Sequence, residues 1–229
     1  MSIWGDVGTW QGAGAAVSDK RRLIRALRAG ASQPIVEALR ANGWLSDGSL
    51  RGARLPDVRL DGLNLAGAYL PEANLKRASL RGADLSRARL PYATLFRAVF
   101  DGANLEGANL HHAQAGRATF VEADLRWADL SEAYLERANL RGARLDEAAL
   151  GGANLRGAGL SVAQARAVGT LRGAIMPHGA RYDGRFNLPG DIEAARLAGI
   201  DPDDEAAMAD WYGVPINTYR SGRAGVAGA

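Results

Sequence analysis

Residues 78–110 read ASLRG ADLSR ARLPY ATLFR AVFDG ANLEG ANL, one five-residue phrase repeated without insertion or deletion. Outward from this stretch the same register runs from Leu50 to Ala165. Twenty of the 24 positions at multiples of five are Leu, the exceptions being Phe100, Ala115, Phe120 and Ala165. Two residues earlier, from 53 to 163, Ala stands at 21 of 23 positions, interrupted only by Val58 and Leu63. A period of five matches neither the ~3.6 of a helix nor the ~2 of a strand, so no continuous element keeps these leucines on one side. The chain must turn once per phrase, with Leu and Ala inside and the other three positions outside.

Copies such as Ala68-Tyr-Leu, Ala83-Asp-Leu, Ala103-Asn-Leu, Ala123-Asp-Leu and Ala153-Asn-Leu resemble the pentapeptide-repeat family. The resemblance implies an all-β solenoid, a right-handed quadrilateral β-helix in which four phrases close one coil. Periodicity alone leaves four sides and three sides both open. With coils about 4.8 Å apart, residues 50–169 would make about six coils and a rod about 28 Å long. Stacked leucines should fill a dry interior too narrow for a substrate. Phe100 and Phe120 should share one inner column, with Ala115 leaving room beside them. Alanine is needed where a larger side chain would collide with the wall, so the section should widen at Val58 and Leu63.

A solenoid's open ends expose backbone groups and apolar side chains, so α-helical caps are expected at both. Residues 1–17, with Trp4 and Trp10 and no period, read as a disordered segment. Residues 18–49 read as a helical cap: Ser18 starts a helix carrying Leu23, Ile24 and Leu27 and ended by Gly30, and Ser32 starts a second with Pro34 in its first turn. Ile35, Val36 and Leu39 face inward, Gly43 stops that helix, and Trp44 and Leu45 seal the end. The basic run Lys20, Arg21, Arg22, Arg25 and Arg28 reads as the solvated face of the first helix. Residues 170–219 read as a turn-rich and helical cap punctuated by Pro177, Gly179, Gly184, Pro189 and Gly190. Asp191 would cap a helix through Leu197, and Asp201 with Pro202 a helix through Trp211 and Tyr212, closed by Gly213. Residues 220–229 read as a disordered tail.

The 229 residues include no cysteine, which excludes disulfides and thiolate chemistry. No apolar run is long enough to span a membrane and no signal peptide is legible, so a cytoplasmic protein without membrane association is expected. The net charge is only +3, from 28 basic and 25 acidic residues, but its distribution is uneven. Stacked every 20 residues, the face built on Leu55, Leu75, Leu95, Ala115, Leu135 and Leu155 carries Arg54, Lys76, Arg77, Arg97, Arg117, Arg137 and Arg156 against Asp57 and Glu136. That face is +5, whereas the other three sum to −1, 0 and −2. Arg77, Arg97, Arg117 and Arg137 would form a ladder of like charges about 4.8 Å apart, repelling unless a partner intervenes. Phe96 lies beside Arg97, with Tyr92 and Val99 on adjoining faces. Lys76, Arg77, Phe96, Arg97, Arg117, Arg137 and Tyr92 are therefore the expected partner-binding residues. Trp127 is a further exposed aromatic.

His111, His112 and Glu132 fall together by register, yet a convex wall offers too few ligands for a metal and no pocket for catalysis. His178 is isolated. No metal, cofactor or catalytic constellation is expected, and the chain reads as no enzyme. It reads instead as a non-enzymatic protein–protein interaction module, a rigid scaffold like small bacterial members of the family, presenting a basic face to an acidic protein partner. The resemblance implies an alternative, a DNA mimic that binds DNA gyrase or topoisomerase. Such members are strongly acidic, with loop insertions and a C-terminal dimer interface. This repeat is net positive and loop-free, although Met208, Trp211 and Tyr212 offer a cap or homodimer contact. Weak, non-specific, salt-dependent nucleic-acid binding is a third expectation.

Overall fold

Every phrase makes one corner. In the computed structural model, which describes residues 13–30 and 32–227, the carbonyl of nearly every inward Leu or Phe accepts from the amide three residues on, as Leu50 does from Ala53 at 3.0 Å and Phe120 from Ala123 at 3.1 Å. The third residue of this turn has positive φ at all 22 positions from Gly52 to Gly157, of which nine are Gly and thirteen are not. Positive φ there marks a type II turn. Between corners, single bridging residues pair in parallel with the residue 20 further on, as in Arg54, Asn74, Thr94, Gln114, Tyr134 and Asn154. Four such columns, begun at Arg54, Arg59, Asn64 and Tyr69, give the coil four sides. Each bridge bonds both ways: Asn74 N donates to Ala53 O at 2.9 Å on the coil before, and Leu75 N to Thr94 O at 2.8 Å on the coil after.

The Leu and Ala rows are buried from Leu50 to Ala158. Each leucine so buried contributes about 1.5–3 kcal/mol. Phe100 and Phe120 stack with centroids 5.0 Å apart and planes within 3°, and Ala115 is fully buried.

Helices α1 (Ala13–Gly30) and α2 (Gln33–Ala41) close on the first coil. Leu27, Ile35, Val36, Leu39 and Leu45 join the same core, while Arg21, Arg22, Arg25 and Arg28 are exposed. The first coil's edge is bonded by the cap: Asn64 N donates to Gln33 Oε1 at 3.1 Å, Tyr69 N to Leu45 O at 2.8 Å, and the Arg40 guanidinium to Asn64 O and Ala66 O. Two expectations need correction here. α1 begins at Ala13, so Ser18 lies inside it and residues 13–17 are helical; Ala13, Ala15 and Ala16 carry high helix propensity and extend the helix backwards. Ser32 occupies the N-cap position of α2 without a side-chain capping bond. Trp4 and Trp10 lie outside the described residues.

At the other end the phrase breaks at α3 (Val162–Ala167) and then resumes one residue late. Ser161 and Gln164 form a reciprocal capping box. The Gln164 amide N–H is thereby used, and its side-chain Nε2 reaches back to Leu140 O at 2.7 Å and Ala143 O at 2.9 Å. Thr170 then bridges Ala149, and Ile175 bridges Asn154, at a spacing of 21. Leu171 and Ala174 are buried in the inner rows, with Met176 almost wholly so. The repeat therefore neither runs unbroken through Ala165 nor dissolves there, because Leu171, Ala174 and Met176 keep the inner spacing after a shift of one residue.

The remaining chain forms α4 (Pro189–Leu197), α5 (Glu205–Tyr212) and α6 (Ile216–Ala227). Asp191 is not the cap of α4; Leu188 holds that position. Asp191 is buried and accepts from the Thr170 hydroxyl, Leu171 N and Arg172 N, and burial holds its carboxyl above the usual carboxylate range. Asp204, not Asp201, caps α5, accepting from Ala206 N and Ala207 N; Asp201 closes the preceding turn. The tail expected to be disordered from residue 220 is helical within α6. Gly222 lets α6 approach Asp183, since a Cβ there would stand 2.5 Å from Asp183 Oδ2. Met208 and Tyr212 are buried in this unit, with Tyr212 packed on Tyr182 and Tyr219. The Arg172 guanidinium lies 3.6 Å over the Trp211 ring. These side chains serve the chain's own core, which removes Met208 and Tyr212 from any dimer face. Among the described residues no helix is long and apolar enough to cross a membrane.

Candidate interaction face

The corner geometry places Arg77, Arg97, Arg117 and Arg137 at the left-handed turn position, with φ of 59, 59, 57 and 57°. Their amides donate in turn to Phe96, Gly116, Glu136 and Arg156 carbonyls on the next coil, so the four stand in one column. Their side chains are not equivalent. Asp57 grips Arg77 through two hydrogen bonds of 2.6 and 2.7 Å, and that bonding holds the Asp57 carboxyl below the usual range. Arg77 is thus already neutralised within the chain. Lys76 and Arg97 both lie over the half-buried Phe96 ring, at 5.9 and 5.4 Å. Arg117, Arg137 and Arg156 line an open hollow of about 840 Å³ with His178. Gly116 lies beside Phe96 there, where a Cβ would stand at ordinary contact distance, 3.5 Å, from the ring.

Among the described residues, none of Arg97, Arg117, Arg137 and Arg156 has an ion pair. The one carboxylate in the hollow, Glu136, accepts from Asn154 Nδ2 at 2.8 Å. Elsewhere on the coils pairing is common. Arg126 bonds Asp124 at 2.6 Å and Glu106 at 2.8 Å, which holds the Asp124 carboxyl below the usual range, and Arg51 bonds Glu72. Arg156 and His178 were not among the residues expected at the site. Register placed Arg156 on the face, but the loop that brings His178 back over the last coil has no repeat signal.

Tyr92 belongs elsewhere. Its ring stacks on His112 at 4.9 Å and meets His111 edge-on at 6.2 Å. His112 Nε2 lies 3.2 Å from Glu132 Oε2, and potential ligand atoms of His111, His112 and Glu132 all fall within 4.8 Å of one another. Val99 lines a different hollow with Arg59 and Arg81. Trp127 is 55% exposed and Tyr134, which the sequence reading passed over, 54%.

The sequence profile of pentapeptide repeats matches in eight copies, over residues 45–77, 59–95, 83–120 and 118–157. This chain belongs to the pentapeptide-repeat family. Pentapeptide-repeat membership implies the right-handed quadrilateral β-helix for the coils, and pentapeptide-repeat proteins are in general structural or interaction modules. Among solved structures the chain is similar to the pentapeptide-repeat protein Rfr23 of the cyanobacterium Cyanothece 51142, with 29% identity over 45% of this chain and 81% of that one, at a TM-score of 0.39. It is similar to HetL of Nostoc sp. strain PCC 7120, a pentapeptide-repeat protein involved in heterocyst differentiation regulation, with 31% identity over 58% and 76% of the two chains and a TM-score of 0.31. It is also similar to QnrB1, a plasmid-mediated fluoroquinolone resistance protein, with 18% identity over 65% and 86% and a TM-score of 0.33. Comparison with curated proteins returned no match.

Proposed function

We propose that this pentapeptide-repeat protein is a non-enzymatic interaction module, a rod of about six coils closed by helices at both ends. It presents Phe96, Arg97, Arg117, Arg137 and Arg156 to an acidic surface of a protein partner. The observation that supports this most is the convergence of Arg117, Arg137 and Arg156 on one hollow whose one carboxylate, Glu136, is bonded by Asn154 Nδ2 and pairs with none of them. Guanidiniums held a coil apart without counter-charges repel one another, so the face gains more from a partner's carboxylates than a paired face would. The scaffold fixes their backbones on both sides by inter-coil hydrogen bonds, which lowers the ordering cost of association. Phe96, held between Lys76 and Arg97, supplies an aromatic anchor at the rim. A DNA-mimic role toward DNA gyrase asks for acidity along the rod, and this face is opposite in sign.

The test uses the native protein as bait in a lysate of its source organism, beside a variant with Arg97, Arg117, Arg137 and Arg156 all changed to Glu, both shown folded by circular dichroism and thermal melts. A protein partner retained by the native bait after nuclease treatment and lost by the variant supports the proposal. Retention of the same partner by both baits, or loss of all binding on nuclease treatment, overturns it. Recovery of a topoisomerase would favour the gyrase-binding alternative.

A further inference from the structure

We propose, against the expectation drawn from register alone, that His111, His112 and Glu132 bind one divalent transition-metal ion of the zinc kind on the wall of the coils, with its remaining position filled from outside the chain. In an extended chain two successive side chains point to opposite sides. Here they do not, because the corner turns between them. His112 takes the left-handed position with φ 54°, and the two imidazoles come together with centroids 4.2 Å apart. Both backbones are fixed: His111 N donates to Asn109 Oδ1 at 3.1 Å, and His112 N to Ser131 O at 3.0 Å on the next coil. The stacking period then places Glu132 directly beyond His112.

The separation of His112 Nε2 from Glu132 Oε2, 3.2 Å, is close to the roughly 3.3 Å edge between two ligands each about 2 Å from a tetrahedral ion. His111 supplies the third donor within 4.8 Å of both, a gap that small rotations of an exposed carboxylate and a half-buried ring can close. Two neighbours hold the set in place. Tyr92 stacks on the His112 ring from the coil before, restricting its rotation before any ion arrives. Beyond Glu132 stands Gly152, where a Cβ would come within 3.0 Å of Glu132 Cγ, so a larger residue there would push the carboxylate aside. Two imidazole nitrogens and one carboxylate oxygen suit zinc, whereas calcium and magnesium favour all-oxygen sets. A fourth position is left for water or for a donor from another molecule. This site lies apart from the arginine hollow and does not depend on its role.

Equilibrium titration of the full, untagged chain with zinc chloride tests the assignment, followed by the histidine ring signals in NMR spectra. One zinc per chain is expected, with His111 and His112 resonances shifting together and that of His178 unmoved. His112→Ala and Glu132→Gln, each confirmed as folded by melting, should weaken binding by at least about tenfold, while His178→Ala should not. Absence of saturable binding at micromolar zinc, equal affinity in native and His112→Ala proteins, or dependence on His178 would overturn the proposal.

Discussion

At the scale of single residues, the left-handed corner makes the sharpest demand. Gly82 has φ +59° and no atom within 4 Å of where a Cβ would stand, so a substitution there meets backbone strain and no steric collision. Gly82→Val is expected to cost about 1–2 kcal/mol, read from urea unfolding, and Gly82→Asn distinctly less because Asn tolerates this region. The thirteen non-glycine corners already carry such strain. They include Arg97, Arg117, Arg137, His112 and Glu132, residues of both candidate sites. The five-residue period was plain in the sequence because Leu and Ala mark it at all but six of their 47 positions. The left-handed corner was not, because Arg, Glu, Tyr and Trp stand there as often as Gly and no residue type announces it. Register predicted that Arg77 would stack in the ladder, but its pairing with Asp57 was legible only as two entries in a charge count.

At the scale of elements, the helical end after α3 differs in chemistry from the coils. Its interior holds phenols where theirs holds leucines: burial pushes the Tyr182 and Tyr212 hydroxyls well above the ordinary tyrosine range. A raised phenol is protonated in the folded chain and ionised in the unfolded one above pH ~10, so its stabilising share is complete below that pH and lost above it. The loss reaches roughly 1.4 kcal/mol per pH unit for a single phenol. The helical circular-dichroism signal is accordingly expected to melt earlier as pH rises past ~10. Tyr212→Phe should flatten that slope and leave stability at neutral pH undiminished, since the Tyr212 hydroxyl has no hydrogen-bond partner among the described residues. A slope equally steep in the variant would place the alkaline sensitivity elsewhere. Helices α4 to α6 were only partly legible. Gly213 ended α5 as expected, but Asp191 and Asp201 looked like caps because their residue type suits caps, and burial or a neighbouring turn claimed them. The one-residue shift after α3 was hidden because Thr, Val and Gly fill the places where the phrase would show.

At the scale of the whole molecule, the coils and the two helical ends share one continuous core, yet they are joined through different numbers of bonded edges. Every central coil is hydrogen-bonded on both sides, whereas among the described residues the helix packed against α1 is α2 and the helix packed against α6 is α5. In a stacked architecture local opening starts at the ends. Native-state hydrogen exchange should therefore find the slowest amides in the coils between Leu85 and Leu135 and the fastest among the described helices in α1 and α6. Amides of α6 as slow as those of Leu105 would instead show that end and coils open as one unit.

Gln33 and Gln164 complete the picture from opposite ends. One offers a side-chain carbonyl to the amide of Asn64, the other a side-chain amide to the carbonyl of Ala143 and, beside its corner bond, that of Leu140. The bonds that add one coil to the next would serve equally to add one molecule to the next, head to tail, in a contact that never closes on itself. Each glutamine satisfies part of that valence from within its own chain, which leaves those groups already bonded when a second molecule approaches.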